Sequence, residues 1–178
     1  MSAEKTEFDH QSRLHLNAAE GWLGLGNWKE AEIELAQIAE PLRNHPEVLQ
    51  ARYLVGSEAK RWDACVELGR ALVELLPDDS FGWINRAYAL RRATTGSVQA
   101  AYDALRPAAD RLKELEPVLF NLACYACQLG KLDEAREWLE KCFAQAARHG
   151  RRKRRRLEAL AEPDLEPLWP EIKKAEQE

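Results

Sequence analysis

Apolar positions recur along the chain at a nearly constant step. Helical apolar stretches begin at Trp28, Trp62, Val98 and Leu132, at steps of 34, 36 and 34 residues. Three further rows keep the same steps, namely Ala31, Cys65, Ala101 and Ala135; Leu35, Gly69, Leu105 and Leu139; and Ile38, Leu72, Ala108 and Cys142. Since offsets of three and four residues fall on one side of a helix, each unit presents one apolar helical face.

A second helix precedes this face in every unit. Its marker row is Ala19, Tyr53, Ala87 and Ala123, at steps of 34, 34 and 36 residues, so the third unit carries its two extra residues between its helices, at 94–97. Gly26 and Gly130 favour a left-handed helix end, and Pro46, Pro77 and Pro117 favour unit boundaries. The pattern predicts helices near 12–25, 28–43, 47–60, 62–76, 80–93, 98–115, 118–129, 132–148, 152–161 and 165–176.

Two of the four units share a specific motif around their central turn. The runs are Leu25-Gly26-Asn27-Trp28-Lys29-Glu30-Ala31 and Leu129-Gly130-Lys131-Leu132-Asp133-Glu134-Ala135. The surrounding segments GLGNWKEAEIELAQIAEPL and CQLGKLDEAREWLEKCFA resemble the tetratricopeptide repeat (TPR), and the resemblance extends over residues 12–148. WINRAYALRR, LACYACQLG and EPDLEPLW are similar to segments of bacterial TPR proteins, which implies a cytoplasmic protein and no particular activity.

The middle units depart from the family pattern. The second has Lys60-Arg61 where the turn glycine is usual, and the third carries the insertion. The second also has Tyr53 and then Gly56 where the family usually places a small residue and then a large one. Because an exchange that conserves volume is the core change tolerated best, we interpret this pair as compensation.

The resemblance implies an all-α fold, a right-handed α-solenoid of about four TPR-like hairpins followed by capping helices. We expect a polar, poorly ordered segment at 1–11, repeats over 12–148 and a basic segment with a C-terminal cap at 149–178. The repeats divide into 12–45, 46–77, 78–116 and 117–148. In the cap, Leu165, Leu168, Trp169 and Ile172 form a narrow apolar stripe that we expect to cover the last hairpin.

The amino-acid composition also favours helices over strands. Ala and Leu supply 52 of the 178 residues, whereas Val, Ile and Thr supply 13, which excludes a β-sandwich or barrel. No window reaches the length of a bilayer span, and the start lacks a signal-peptide pattern, so we expect a cytoplasmic protein without membrane contact. The formal charge of −4 conceals seven positive charges at Arg148 and 151–156.

In TPR stacks the first helices of successive hairpins line a concave groove that binds protein segments. The resemblance implies that fifteen residues face it: Leu16, Asn17, Glu20 and Leu23; Gln50, Leu54 and Ser57; Ile84, Asn85, Tyr88 and Arg91; Phe120, Asn121, Cys124 and Cys127. Asn17, Asn85 and Asn121 occupy equivalent positions, interrupted by Ala51. An amide both donates and accepts hydrogen bonds, so this row suits a peptide backbone, although asparagine is also simply common there.

The family's carboxylate clamp for acidic C-terminal peptides does not fit this sequence. Leu16 and Glu20 stand where the clamp has Lys and Asn, and an acid repels a ligand carboxylate. Arg91 and Arg92 offer a bidentate contact to an isolated carboxylate. We favour the alternative that they are solvated or bond terminal carbonyls of their helix.

Catalytic and metal-binding patterns are sparse. Cys124 and Cys127 have Cys-x-x-Cys spacing, but they lie two turns into a predicted helix, and zinc would need two further ligands. Packing is the favoured interpretation of these thiols. The four histidines are scattered, and neither a His-Glu-x-x-His motif nor a phosphate-binding glycine loop occurs. We therefore expect no enzyme activity, no cofactor and no metal.

The basic run comprises Arg151, Arg152, Lys153, Arg154, Arg155 and Arg156. Clustered positive charge suits nucleic acid or another acidic partner. We favour a solvated helix that caps the stack and offsets the acidic remainder of the chain. The sequence therefore predicts a non-enzymatic adaptor or scaffold that binds a peptide or protein segment in the groove, with binding of an acidic partner through 148–156 as the alternative.

Overall fold

A computed structural model describes residues 7–113 and 115–174. Within these ranges the chain is all-helical, without a strand. Its α-helices are α1 (His10–Gly24), α2 (Trp28–Ala36), α3 (Pro46–Glu58), α4 (Trp62–Leu75), α5 (Ser80–Leu90), α6 (Val98–Arg111), α7 (Glu116–Gln128), α8 (Leu132–Arg148), α9 (Arg152–Ala161) and α10 (Trp169–Lys174). Two 3-10 helices lie at Glu40–Leu42 and Pro163–Leu168. The all-α prediction is confirmed.

Local side chains set the helix starts. Asp9, Asn27, Asp79 and Ser97 each accept a hydrogen bond from a backbone N–H in the first turn of the helix that follows. These bonds satisfy donors that have no partner inside the helix. The first helix therefore begins at His10, two residues before the predicted start. Residues 1–6 of the polar segment 1–11 lie outside the described residues.

The turns within the first, second and fourth units share one backbone conformation. Gly26 and Gly130 have φ angles of 74° and 73°, in the left-handed region that glycine tolerates. Lys60, at the equivalent position of the second unit, adopts φ 56°. The turn geometry is therefore the same where the glycine is missing. A residue with a side chain is strained in this region, so Lys60 adopts it at an energetic cost.

The second helix is shorter than the predicted 28–43. It ends at Ala36, and a 3-10 turn follows at Glu40–Leu42. Pro41 explains the break, because a proline inside an α-helix lacks the backbone donor and clashes with the preceding turn. Ser12 Oγ accepts a hydrogen bond from the Ala39 N–H at 3.2 Å, so the interrupted backbone is anchored on α1.

Two other predicted helices also differ from the structure. The helix predicted at 98–115 ends at Arg111, and Glu114 lies outside the described residues. The helix predicted at 165–176 is instead a 3-10 segment followed by α10, because Pro167 and Pro170 interrupt α-helical bonding. Residues 175–176 of that prediction lie outside the described part of the chain.

Consecutive helices pack on one another from α1 to α8. All sixteen positions of the rows that begin at Ala19, Ala31, Leu35 and Ile38 are buried. They include Ala31, Cys65, Ala101 and Ala135, whose side chains are fully enclosed. The contact between α4 and α5 is especially close. A Cβ on Gly69 would lie 2.8 Å from Arg86 Cβ, and a Cβ on Gly82 would lie 2.9 Å from the Val73 backbone nitrogen.

The structure explains why the second unit has Tyr53 and Gly56 where the family usually places a small residue and then a large one. Tyr53 is buried and donates a hydrogen bond through its hydroxyl to the Asn85 carbonyl, at 2.7 Å. A Cβ on Gly56 would lie 2.9 Å from Cys65 Sγ. The tyrosine thus ties α3 to α5, and the glycine leaves room for the cysteine of α4.

The C-terminal segment covers the fourth hairpin. α9 contacts α8, and the 3-10 segment Pro163–Leu168 contacts α7. Leu165, Leu168 and Ile172 are buried in the same apolar cluster as the third and fourth hairpins, with Trp169 packed against it. The predicted apolar stripe therefore performs the covering role. Among the described residues, no helix combines the length and apolarity that crossing a membrane requires.

Candidate functional site

The predicted groove positions differ widely in exposure. Asn17 and Glu20 are exposed, and Gln50, Asn85, Arg91, Phe120 and Asn121 are half-buried. Leu16, Cys124 and Cys127 are buried, which corrects the expectation that they face a groove. Leu23, Ser57 and Ile84 are half-buried, and the last two positions, Leu54 and Tyr88, are exposed.

Four residues at equivalent positions of the four units show how far the exposed surface of the first helices extends. They are Glu20, Leu54, Tyr88 and Cys124, in the four successive first helices. Glu20 is exposed, and Leu54 and Tyr88 are 42% and 39% exposed, whereas Cys124 is only 4% exposed. The change coincides with the 3-10 segment that packs on α7. The open part of the candidate groove therefore spans the first three units.

Arg91 is held by this C-terminal segment. Its guanidinium donates a hydrogen bond to Asp164 at 2.7 Å and lies 5.2 Å from the centre of the Tyr125 ring. Asp164 also accepts a hydrogen bond from Gln128 of α7. Burial lowers the pKa of Arg91, but the hydrogen bond and the charge of Asp164, with smaller contributions from Tyr125 and Cys124, together outweigh it and the net pKa is raised. Arg91 is thus committed to an internal carboxylate.

Tyr88 forms the centre of an exposed cluster with Trp62 and Arg92, which we call the Tyr88 surface. The Trp62 and Tyr88 rings meet edge to face, with centres 5.8 Å apart. The Arg92 guanidinium lies 3.5 Å from the centre of the Tyr88 ring and donates a hydrogen bond to the Tyr88 carbonyl at 2.9 Å. This cation–π contact holds the aromatic face and leaves further guanidinium donors available.

Neighbouring turns fix the Tyr88 surface in place. Thr94 donates hydrogen bonds from its backbone N–H and its hydroxyl to Asp63, at 3.0 and 2.7 Å. These bonds connect the α5–α6 turn, which carries Arg92, to the start of α4, which carries Trp62. The cluster is therefore built from two successive units.

The predicted asparagine row is partly engaged within its own helices. Asn85 donates from its side-chain amide to the Phe81 carbonyl at 3.0 Å, and Asn121 donates to the Pro117 carbonyl at 2.8 Å. Each amide carries two donors and an acceptor, so capacity for a ligand remains. Ala51, which interrupts the row, is buried.

All four cysteines are free and buried. Burial raises the pKa of Cys65 to about 11 and that of Cys142 to about 12, and it also raises the pKa of Cys124 and Cys127. The thiolate, which is the nucleophile and the metal ligand, is therefore disfavoured. Within residues 7–113 and 115–174 no group of three or more His, Cys, Asp or Glu residues is arranged to hold a metal ion.

The basic run is divided between the protein interior and solvent. Glu116, which is buried, accepts hydrogen bonds from Arg151 at 3.1 Å and from Arg155 at 2.7 Å. Arg155 also lies over the Phe120 ring, 4.9 Å from its centre. Arg154 pairs with Glu158, Arg156 is half-buried near Phe143, and Arg152 and Lys153 are exposed. The run is not a uniformly solvated face.

Sequence reasoning did not assign Trp62 or Asp164 to the site. The sequence did contain a signal for Trp62. It begins the second helix of its unit, and that helix packs on the first helix of the next unit, which carries Tyr88. Asp164 carried no local signal, since its contact with Arg91 joins residues 73 positions apart.

Comparison with known proteins identifies no family for this chain. No protein-family model matches it, and no curated protein matches it. The resemblance to the tetratricopeptide repeat therefore rests on the spacing and motifs of the sequence itself.

Proposed function

We propose that the chain is a non-enzymatic adaptor or scaffold, built as a right-handed TPR-like α-solenoid, that binds a protein segment along α1, α3 and α5. The buried rows at 34- and 36-residue steps support the repeat assignment. Packing of each helix on the next, and the left-handed turn at both motif glycines and at Lys60, also support it. In this proposal the C-terminal segment closes the stack over α7.

The Tyr88 surface is the observation on which the binding proposal rests. Tyrosine, tryptophan and arginine are the residue types that dominate binding energy in protein interfaces. Here an exposed tyrosine lies next to the other two. Leu54 occupies the repeat position of Tyr88 on α3 and is also exposed. Two successive first helices therefore offer an apolar contact at the same position.

The chemistry of this surface defines the expected ligand. An apolar side chain would pack on Tyr88 and Leu54, while the remaining donors of Arg92 would bond a carboxylate or a peptide carbonyl. Asn17 and Gln50 would contribute amide contacts to the backbone of the same segment. The ligand class is a protein segment with an apolar residue next to an acidic one.

The burial and raised pKa of the four thiols support a non-enzymatic role, because they disfavour thiolate chemistry. Free, unpaired thiols are also typical of a reducing compartment, so the cytoplasm is part of the proposal. Binding of nucleic acid or another acidic partner through 148–156 is the less favoured alternative. Two of its cations pair with the buried Glu116, and one of them, Arg155, is mostly shielded from solvent.

Selection of random dodecapeptides displayed on phage against the chain tests the proposal. Enriched peptides are then measured against Tyr88→Ala and against Leu75→Ala, which removes another exposed side chain, from α4. We expect affinity to fall about ten-fold or more in Tyr88→Ala, since interface aromatics carry at least about 1.4 kcal/mol. Affinity should be unchanged in Leu75→Ala.

Peptides that lose affinity equally in both variants would contradict the assignment of the Tyr88 surface. A fluorescent 20-nucleotide single strand tests the alternative in parallel. Tight binding that weakens steeply with salt and is lost when Arg152 and Lys153 are changed to Gln would favour the acidic partner instead.

A further inference from the structure

A cleft of about 400 Å³ lies between the first two units and shares no residue with the Tyr88 surface. Its walls come from α2, α3 and the start of α4. Leu35 and Val55 are buried behind the cleft, so its accessible apolar lining comes from Ala36, Ala64 and Leu68. The cleft is bordered by the polar side chains of Glu32, Arg52 and Arg61. Its volume falls within the range of sites that bind small organic molecules.

The sequence explains why this space is open. Pro41 ends α2 at Ala36, so this second helix has 9 residues, whereas α4 and α6 have 14 each and α8 has 17. Gly56 and Ala64 present little or no side chain at the lining. The cleft is thus a consequence of one short helix and small residues opposite it.

The two arginines that border the cleft differ in whether they have a partner of opposite charge. Arg61 pairs with Glu32, donating a hydrogen bond at 2.7 Å. Arg52 makes no hydrogen bond or ion pair within the described ranges of the chain, and the charge that acts on it is the like charge of Arg43. Burial, followed by Arg43, lowers the pKa of Arg52. A half-buried cation without a counter-charge is stabilised by a bound anion.

We propose that this cleft binds a carboxylate joined to a compact apolar body. The Arg52 guanidinium holds the carboxylate in a bidentate contact, and Ala36, Ala64 and Leu68 contact the apolar part. A small free acid has both features, and so does a C-terminal leucine residue of a peptide. This site is independent of the proposed peptide surface, and either can fail without the other.

Calorimetric titration with 4-phenylbutyrate tests the proposal, with 4-phenylbutyramide as the uncharged counterpart. We expect saturable binding of the acid, binding of the amide at least about ten-fold weaker, and a similar loss for the acid in Arg52→Gln, since bonds to charged groups are worth a decade or more. Arg70→Gln is the matched control, because Arg70 lies on α4 outside the cleft and is exposed. It should leave binding unchanged.

A second variant keeps the test valid if Arg52→Gln does not fold. Ala64 is an exposed residue of the lining, so Ala64→Trp fills the cleft while Arg52 is retained, and it should abolish binding. Acetyl-Ala-Ala-Leu with a free carboxylate, compared with its C-terminal amide, distinguishes a peptide end from a free acid. Equal binding of acid and amide, or undiminished binding in Ala64→Trp, would overturn the proposal.

Discussion

Asp164 in the C-terminal segment accepts a hydrogen bond from Arg91 of α5 at 2.7 Å, across 73 positions of sequence. Both side chains are mostly shielded from water, with 15% and 22% exposed. The pair connects the third unit to the cap and lies beside Cys124, the repeat position that is covered in the fourth unit. The chain thereby covers this position of the fourth unit with its own acidic segment.

Changing Asp164 to Asn tests the importance of this connection. The guanidinium of Arg91 would lose its carboxylate while remaining half-buried, so the free energy of unfolding should fall by about 1.5 to 3 kcal/mol. Urea unfolding at neutral pH measures it. Asp110→Asn is the control, because Asp110 pairs with Arg106 at an 84% exposed position and should cost under about 1 kcal/mol. Equal losses in the two variants would argue against an anchoring role for Asp164.

The repeat rows and the all-helical fold were predictable from the sequence, because a fixed step places the same residue type on the same helical face in each unit. Lys60 kept the turn without the glycine because tertiary packing outweighs the local preference of one residue. The contacts of Asp164 and Glu116 were not predictable in the same way. Each joins the cap to a helix more than thirty residues away, and no local periodicity encodes such a pairing.

Pro41 is a local sequence signal for the early end of α2. The helical spacing of apolar residues continues past this end, so it predicted a longer helix. Ile38 and Leu42 continue the helical spacing and are buried, yet they reach the core from outside α2. Apolar spacing thus identified the buried residues correctly and the helix end incorrectly. The cleft beside Arg52 depends on that end, and the sequence analysis did not anticipate it.

Acid should weaken the folded state through Glu32 and Glu171. Hydrogen bonds from Arg61 and Arg136 lower the pKa of these carboxyl groups from the ordinary value of 4.5. Their contribution to stability is therefore complete above that ordinary value and is lost as the pH falls through the lowered pKa. Urea unfolding at a series of pH values should show this decline. In Glu32→Gln the decline should be smaller, and an unchanged slope would contradict the assignment.

The four thiols should be inert in the folded protein. Burial raises the pKa of each, and only the thiolate reacts with a disulfide reagent. Reaction with Ellman's reagent at about pH 8, close to the usual thiol pKa, should therefore be slow until urea unfolds the chain, when all four cysteines react. Rapid reaction of two thiols in the native protein would instead indicate an accessible Cys124–Cys127 pair.

Two glycines on helices should respond in opposite ways to the same substitution. Gly21 of α1 has no atom within 4 Å of an added Cβ, so Gly21→Ala should stabilise the protein by about 0.5 to 1 kcal/mol through helix propensity. In Gly82→Ala the new Cβ would lie 2.9 Å from the Val73 backbone nitrogen, which cannot move without shifting α4. Overpacking should then outweigh propensity and destabilise the chain by about 1 to 3 kcal/mol. Thermal and urea unfolding of both variants decide the matter, and a stabilised Gly82→Ala would show that α4 and α5 do not approach each other this closely.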